Sequence, residues 1–249
     1  MRLPFSFLLF IVIFISCEDD KSECSVVSAK SGYSVVTPLT YDYEYRYTFT
    51  GVRLRDVEYL DIDSGGKLST TEFEYDAEGR VTLELTHDIT YDRNIFTSYH
   101  YEPPSMTIAR YTIIGSDTSD YSEEHYFYVK NPEDKVYRHA PDNTCLKFQN
   151  GNLIEYGYYE VSGTDTTDIF YDRYYYDTRP NVYNFPEYRI AIPSDFIWSK
   201  VASKNNLVRA QYIAGGWDFS YIYAYDGNNK LGRYLGKSGI TVDFENSCR

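Results

Sequence analysis

The 249-residue chain has little of what enzymes and nucleic-acid-binding proteins are built from. Its histidines, His87, His100, His125 and His139, are far apart and show no H-x-x-x-H spacing, so a zinc centre has no local seed. No C-x-x-C, G-x-S-x-G, P-loop or dinucleotide glycine pattern is present, which removes the sequence support for thiol-disulfide, serine-hydrolase or nucleotide chemistry. Positive charge is scarce: 24 Lys and Arg stand against 37 Asp and Glu, a net charge of -13. With no dense basic cluster to neutralise phosphates, nucleic acid is excluded as a partner. A long helical stripe is missing too. Residues 194–203 alone suggest a short helix, with Pro193 at the entrance and Trp198 and Val201 three apart. No linker rich in Gly or Ser divides the chain.

Aromatic residues are abundant instead: 29 Tyr and 14 Phe, types that favour strands. In Tyr41, Tyr43, Tyr45, Tyr47 and Phe49 every second residue is a ring, with Asp42, Glu44, Arg46 and Thr48 between them. Period two of this kind describes a strand with one wet face and one ring-bearing face. The alternation recurs at 73–76, 126–128, 169–176 and 219–226, each time followed by turn chemistry. Asn150-Gly151 adds the signature of a two-residue hairpin loop. The fold class expected is all-β: an antiparallel meander of long hairpins forming a curled single sheet or open barrel-like layer, with at most one short helix.

Residues 1–16 carry Arg2 followed by an apolar run too short to anchor in a bilayer, the pattern of a signal peptide. The run ends at Cys17, and the preceding Phe14-Ile15-Ser16 resembles a loose lipobox, which implies lipidation of Cys17 and a chain tethered to a membrane by acyl groups alone. Glu18-Asp19-Asp20-Lys21 resembles the acidic export signal of surface lipoproteins of the Bacteroidota. The location implied is the outer membrane, lipid-anchored at the cell surface, with the periplasmic face as the alternative. Residues 17–36 are expected to be a lipidated tether and 37–249 a single β-rich domain. Besides Cys17 there remain Cys24, Cys145 and Cys248, which allow three alternative single pairings. Cys24 with Cys248 would clasp the two termini; free buried thiols are the other reading.

Phe73-Glu74-Tyr75-Asp76-Ala77-Glu78-Gly79-Arg80-Val81 resembles the tyrosine-aspartate hairpin repeat of Rhs-type and related wall proteins, and Tyr225-Asp226-Gly227-Asn228-Asn229-Lys230-Leu231 is a degenerate second copy. The order Tyr176-Asp177-Thr178-Arg179-Pro180-Asn181-Val182-Tyr183, then Ser203-Lys204-Asn205-Asn206, then a closing Y-x-Y-D strand resembles uncharacterised Bacteroidota lipoproteins built of antiparallel hairpins. Val182 stands where that pattern has Pro. The resemblance implies fold and envelope location, and it brings no catalytic residue.

Asp61, Asp63 and Glu72 fall on calcium-loop positions of an EF-hand, but Gly65 offers no oxygen and the flanks read as strands, so an acidic hairpin turn is the reading preferred. No cofactor is expected beyond that candidate calcium. His87-Asp88 and Glu124-His125 are strand neighbours and point to opposite faces, so neither forms a base with its orienting carboxylate. Catalytic residues are therefore expected to be absent. Exposed rings are the remaining candidates: Trp217, Trp198, Tyr221 and Tyr223 could stack on a sugar or a protein surface. The function expected is a non-catalytic envelope binding or structural module that recognises glycan. The alternatives are a scaffold subunit of an outer-membrane protein complex and a hydrolase with an unrecognised site.

Overall fold

The structure is a computed structural model that describes residues 24–33, 40–102, 105–127, 132–140, 142–191, 203–213, 215–236 and 239–248. Two antiparallel sheets account for nearly all of it. The large sheet starts with β1 (Cys24–Tyr33) and runs through β2 (Thr40–Thr50), β3 (Arg53–Asp61), β4 (Lys67–Tyr75), β5 (Val81–Asp88), β6 (Arg93–Glu102), β7 (Ser105–Ile114) and β8 (Asp117–Phe127). Every strand in this run pairs with the next, as hairpins in series require. The small sheet contains β9 (Val136–His139), β10 (Thr144–Gln149), β11 (Asn152–Ser162), β12 (Asp165–Pro180), β13 (Asn205–Tyr212) and β14 (Trp217–Ser220). The chain then returns to the large sheet as β15 (Ile222–Tyr225), β16 (Leu231–Leu235) and β17 (Ile240–Cys248). Because β17 lies against β1, the large sheet reads β15-β16-β17-β1-β2 through to β8, and it ends in two edges rather than closing into a barrel.

Local chemistry explains the turns. At both tyrosine-aspartate hairpins the aspartate carboxylate accepts the backbone N–H four residues on, Arg80 from Asp76 at 2.8 Å and Lys230 from Asp226 at 3.0 Å. Each turn also needs a left-handed residue, supplied by Gly79 at φ 80° and Asn229 at φ 60°. Asn150 and Gly151 both have positive φ, the pair of conformations that a type I′ loop between Gln149 and Asn152 demands.

The structure bears on three expectations. The tether was expected to reach residue 36, yet residues 24–33 form β1, held between β17 and β2. Small side chains make this fit: Val26, Ser28 and Ala29 are all buried where neighbouring strands crowd from both sides. The expected open antiparallel meander is present, and its strands fall into two sheets because the chain leaves the large sheet after β8 and re-enters it only at β15. The helix observed is α1 (Pro186–Ala191), preceded by a 3-10 turn at Val182–Asn184. The segment expected to be helical, 194–203, lies outside the described residues except for its last position.

This short helical segment seals the inner face of the large sheet. Val182, Tyr183 and Tyr188 pack with Val26, Ala29, Tyr47, Leu54, Val57, Phe73 and Val242, and each buried aliphatic or aromatic side chain contributes about 1.5–3 kcal/mol. The Tyr47 hydroxyl donates to the Glu187 carbonyl at 3.0 Å, and Arg189 reaches Glu84 at 3.2 Å. A second core in the small sheet gathers Leu146, Phe148, Leu153, Tyr174, Leu207 and Ala210. Tyr221, at the crossing from β14 to β15, packs against both.

Candidate functional site

The three segments read as one pattern in the sequence meet at the junction of the two sheets. Asn206 is fully buried on β13, and its side-chain oxygen accepts the Val182 N–H at 2.7 Å. Its amide donates to the Asp177 carboxylate at 3.2 Å and to the Tyr225 hydroxyl at 2.6 Å. Asn181, 1% exposed, donates to the Ser203 carbonyl and caps the 3-10 turn by accepting the Tyr183 N–H at 3.0 Å. Asn205 and Asn152 bond to one another, and the Arg179 guanidinium lies 4.8 Å from the centre of the Tyr225 ring. A network with this many satisfied groups fixes one geometry of sheet crossing. Its role is structural.

The small sheet has two unlike faces. Across one run Lys147, Glu155, Arg173, Gln211 and Asp218, paired strand to strand. Lys147 bonds Glu155 at 2.7 Å, and Arg209 grips Asp218 with two bonds of 2.9 and 2.6 Å. These bonds and the one from Gln211 hold the Asp218 carboxyl down at about 2. The other face carries the row Tyr137, Leu146, Tyr156, Asp172, Tyr212 and Trp217, each opposite the next. Trp217 is 63% exposed and stacks on Phe219 with ring centres 6.1 Å apart. Tyr171, pushed out by the bulge opposite Tyr156 and Gly157, meets the rings of Tyr156 and Tyr158. Gly157 is required there, since a Cβ would fall 2.0 Å from the Ile169 carbonyl oxygen.

Asp172 sits in the middle of that ring row with only 6% of its surface exposed. The Tyr174 hydroxyl approaches its carboxylate at 3.4 Å, longer than an ordinary O–H···O bond. Burial pushes the Asp172 carboxyl up to about 6, and the Tyr174 hydroxyl pulls it part of the way back. A carboxyl raised to about 6 among half-buried rings can donate or accept a hydrogen bond at mildly acid pH.

A cavity of about 230 Å³ opens between the large sheet and the helical segment, lined by Arg80, Tyr99, Tyr101, Tyr183, Asn184 and Arg189 among others. Its guanidiniums already have acids: Arg80 bonds Asp76 at 2.6 Å and Glu78 at 2.9 Å, and Arg189 bonds Glu84. The Arg189–Glu84 pair pins α1 to the sheet, while the pairs of Arg80 stay within the β4–β5 turn.

The sequence candidates separate on this frame. Trp217 is exposed, whereas Tyr221 and Tyr223 are half-buried and pack against the large sheet's core, with Tyr234 beside both rings. Cys17 and Trp198 lie outside the described residues. Cys24 and Cys248 are opposite one another in the β1–β17 ladder. The calcium constellation does not assemble. Asp61 caps the β3–β4 turn by accepting the Ser64 N–H at 2.7 Å, while Glu72 pairs with Asp56 further up the hairpin. Five residues of strand from Lys67 to Glu72 span roughly 16 Å, too far for a shared ion. No group of three or more His, Cys, Asp or Glu side chains converges for a metal among the described residues. Sequence reasoning missed Asp172 and the Tyr156, Tyr158, Tyr171 cluster; an acid in phase with rings across β12 was the available signal.

The fold is thus an all-β, two-sheet antiparallel architecture with one short helix. No family model matches the sequence, and no curated protein does. Among solved structures, a porin-like protein from Bacteroides uniformis ATCC 8492 aligns over 89% of this chain and 96% of its own, at 11% identity and a TM-score of 0.39. The TcdB2-TccC3-Cdc42 structure aligns over 80% of this chain at 13% identity and a TM-score of 0.24, and the chain spans 10% of that one. Neither likeness carries an argument about function.

Proposed function

We propose that the protein is a lipid-anchored envelope binding module, held by Cys17, that recognises a glycan on the ring-bearing face of its small sheet without catalysis. The observation that carries the reading is the open end of that row: Trp217, 63% exposed and stacked on Phe219, two strands from the buried carboxyl of Asp172. Flat rings supply stacking surface to the apolar face of a sugar, and a carboxyl beside them suits a sugar hydroxyl. The opposite face is covered by ion pairs, and its exposed ring, Tyr175, is engaged by Gln211 and lies under the Arg209 guanidinium.

Two measurements test it. Cells fed labelled palmitate and then treated with protease should show labelled protein that is cleaved, with label lost in Cys17→Ala. Unlabelled wild type would remove the anchor. In affinity electrophoresis through gels holding mannan, xylan or β-glucan, at least one polysaccharide should retard the wild type and not Trp217→Ala. Equal mobility of both in every gel would overturn glycan recognition.

A further inference from the structure

We infer that Cys24 and Cys248 form an intramolecular disulfide that closes the whole β domain at the point where the anchor segment enters it. The β1–β17 register sets residue 24 directly opposite residue 248, with Ser25 opposite Ser247 and Val26 opposite Asn246 behind them. Directly opposed residues of an antiparallel pair have Cα atoms about 4.5 or 5.5 Å apart, and both values fall inside the disulfide range of about 4.4–6.8 Å. The remaining thiol of the described residues, Cys145, is fully buried in the small sheet, and burial pushes its thiol up, away from the reactive thiolate. One pairing therefore remains of the three that composition allows.

The step needs an oxidant. Two thiols each lose a proton and an electron to form the S–S bond, and the disulfide of an envelope thiol-disulfide oxidoreductase takes up the electrons and becomes a dithiol. The inference rests on the export reading for that oxidant, because cytosolic thiols stay reduced. Its consequence is mechanical. Ends of strands fray first, and a pull from an acyl anchor along residues 17–23 would enter the sheet at its fraying end. With the link in place, that pull is shared by β1 and β17 and cannot unzip β1 alone.

The test uses the full chain extracted from its own envelope in detergent. Alkylation without reduction, then trypsin, should yield peptide 22–30 joined to peptide 238–249, with Cys145 alone alkylated. If both terminal peptides come back alkylated from a chain whose residues 1–16 are gone, the disulfide fails while export stands. If residues 1–16 are still attached, the export reading fails, and a second arm decides the disulfide: the reduced protein is incubated with oxidised glutathione. The same joined peptide is expected there, and glutathione adducts on both cysteines would overturn the inference. Cys24→Ser and Cys248→Ser should each lower Tm on the order of 10 °C, with the double variant no lower and reduction by dithiothreitol giving the same loss in wild type. A Tm insensitive to dithiothreitol would show that no such bond holds the termini.

Discussion

Asn206 on β13 and Asp172 on β12 are both buried and polar, but the fold treats them in opposite ways. Each hydrogen-bonding end of Asn206 has protein partners, through Val182, Asp177 and Tyr225. Asp172 has one long contact from Tyr174, and its carboxyl stands at about 6. A satisfied network holds two sheets in one relation. A carboxyl that is buried and weakly bonded costs stability, and such groups concentrate where a surface has work to do besides folding. The difference separates scaffold from candidate site within two adjacent strands, and substitutions on each side can break or sharpen it.

The largest effect belongs to the junction. Asn206→Ala leaves the Val182 N–H without its acceptor and takes one donor each from the Tyr225 hydroxyl and the Asp177 carboxylate, which keep one another and, for Asp177, two backbone N–H groups; a buried group left unpaired costs about 1–3 kcal/mol. Urea unfolding should show a loss of about 2 kcal/mol. Tyr225→Phe removes the bond from Asn206 and the longer one to Asp177 and should cost about 1 kcal/mol. If Asn206→Ala unfolded at the wild-type midpoint, the network would be ornament rather than keystone.

Asp172→Asn should act with the opposite sign. The carboxyl at about 6 in the folded state lies above the ordinary unfolded value near 3.9, so folding favours its protonated form. Stability from this group is fully present below the unfolded value and is lost as pH rises through about 6. Wild type should therefore gain about 1 kcal/mol between pH 7 and pH 5, a window above that in which low-lying carboxyls such as Asp218 lose their ion pairs. The variant should be more stable than wild type at pH 7 by about 1 kcal/mol, and its profile across that window should be flat. A wild-type profile without the gain would place the carboxyl in ordinary solvent and end its claim to be distinctive.

Much of the scaffold could be read from the sequence, because its rules are local. Period two in Tyr41 to Phe49, the aspartate-capped turns at Asp76 and Asp226 and the Asn150-Gly151 loop all depend on residues within a few positions of each other. The short helix at Pro186–Ala191 was not read from the sequence, and the strand at Cys24–Tyr33 was hidden by its small, polar composition. Long-range register was not legible. Nothing local says that Asp172 stands opposite Tyr156 and Tyr212, or that the Asn181 and Asn206 segments share one buried network with Tyr225. The acidic hairpin turn preferred over a calcium loop at Asp61 belongs with the legible part, because the strand pattern on both flanks is local.

Trp217 tests the site side of the comparison with the least disturbance to the scaffold. It is 63% exposed on an edge strand and touches Phe219, so Trp217→Ala should shift stability by no more than about 0.5 kcal/mol. Trp217→Phe keeps an apolar ring and should retain part of any polysaccharide retardation that Trp217→Ala abolishes. That graded order, at nearly constant unfolding midpoint, is the signature of a stacking contact. A large stability loss in Trp217→Ala would instead make the ring part of the small sheet's packing, and the distinction between a satisfied junction and an exposed ring face would have to be redrawn around Asp172 alone.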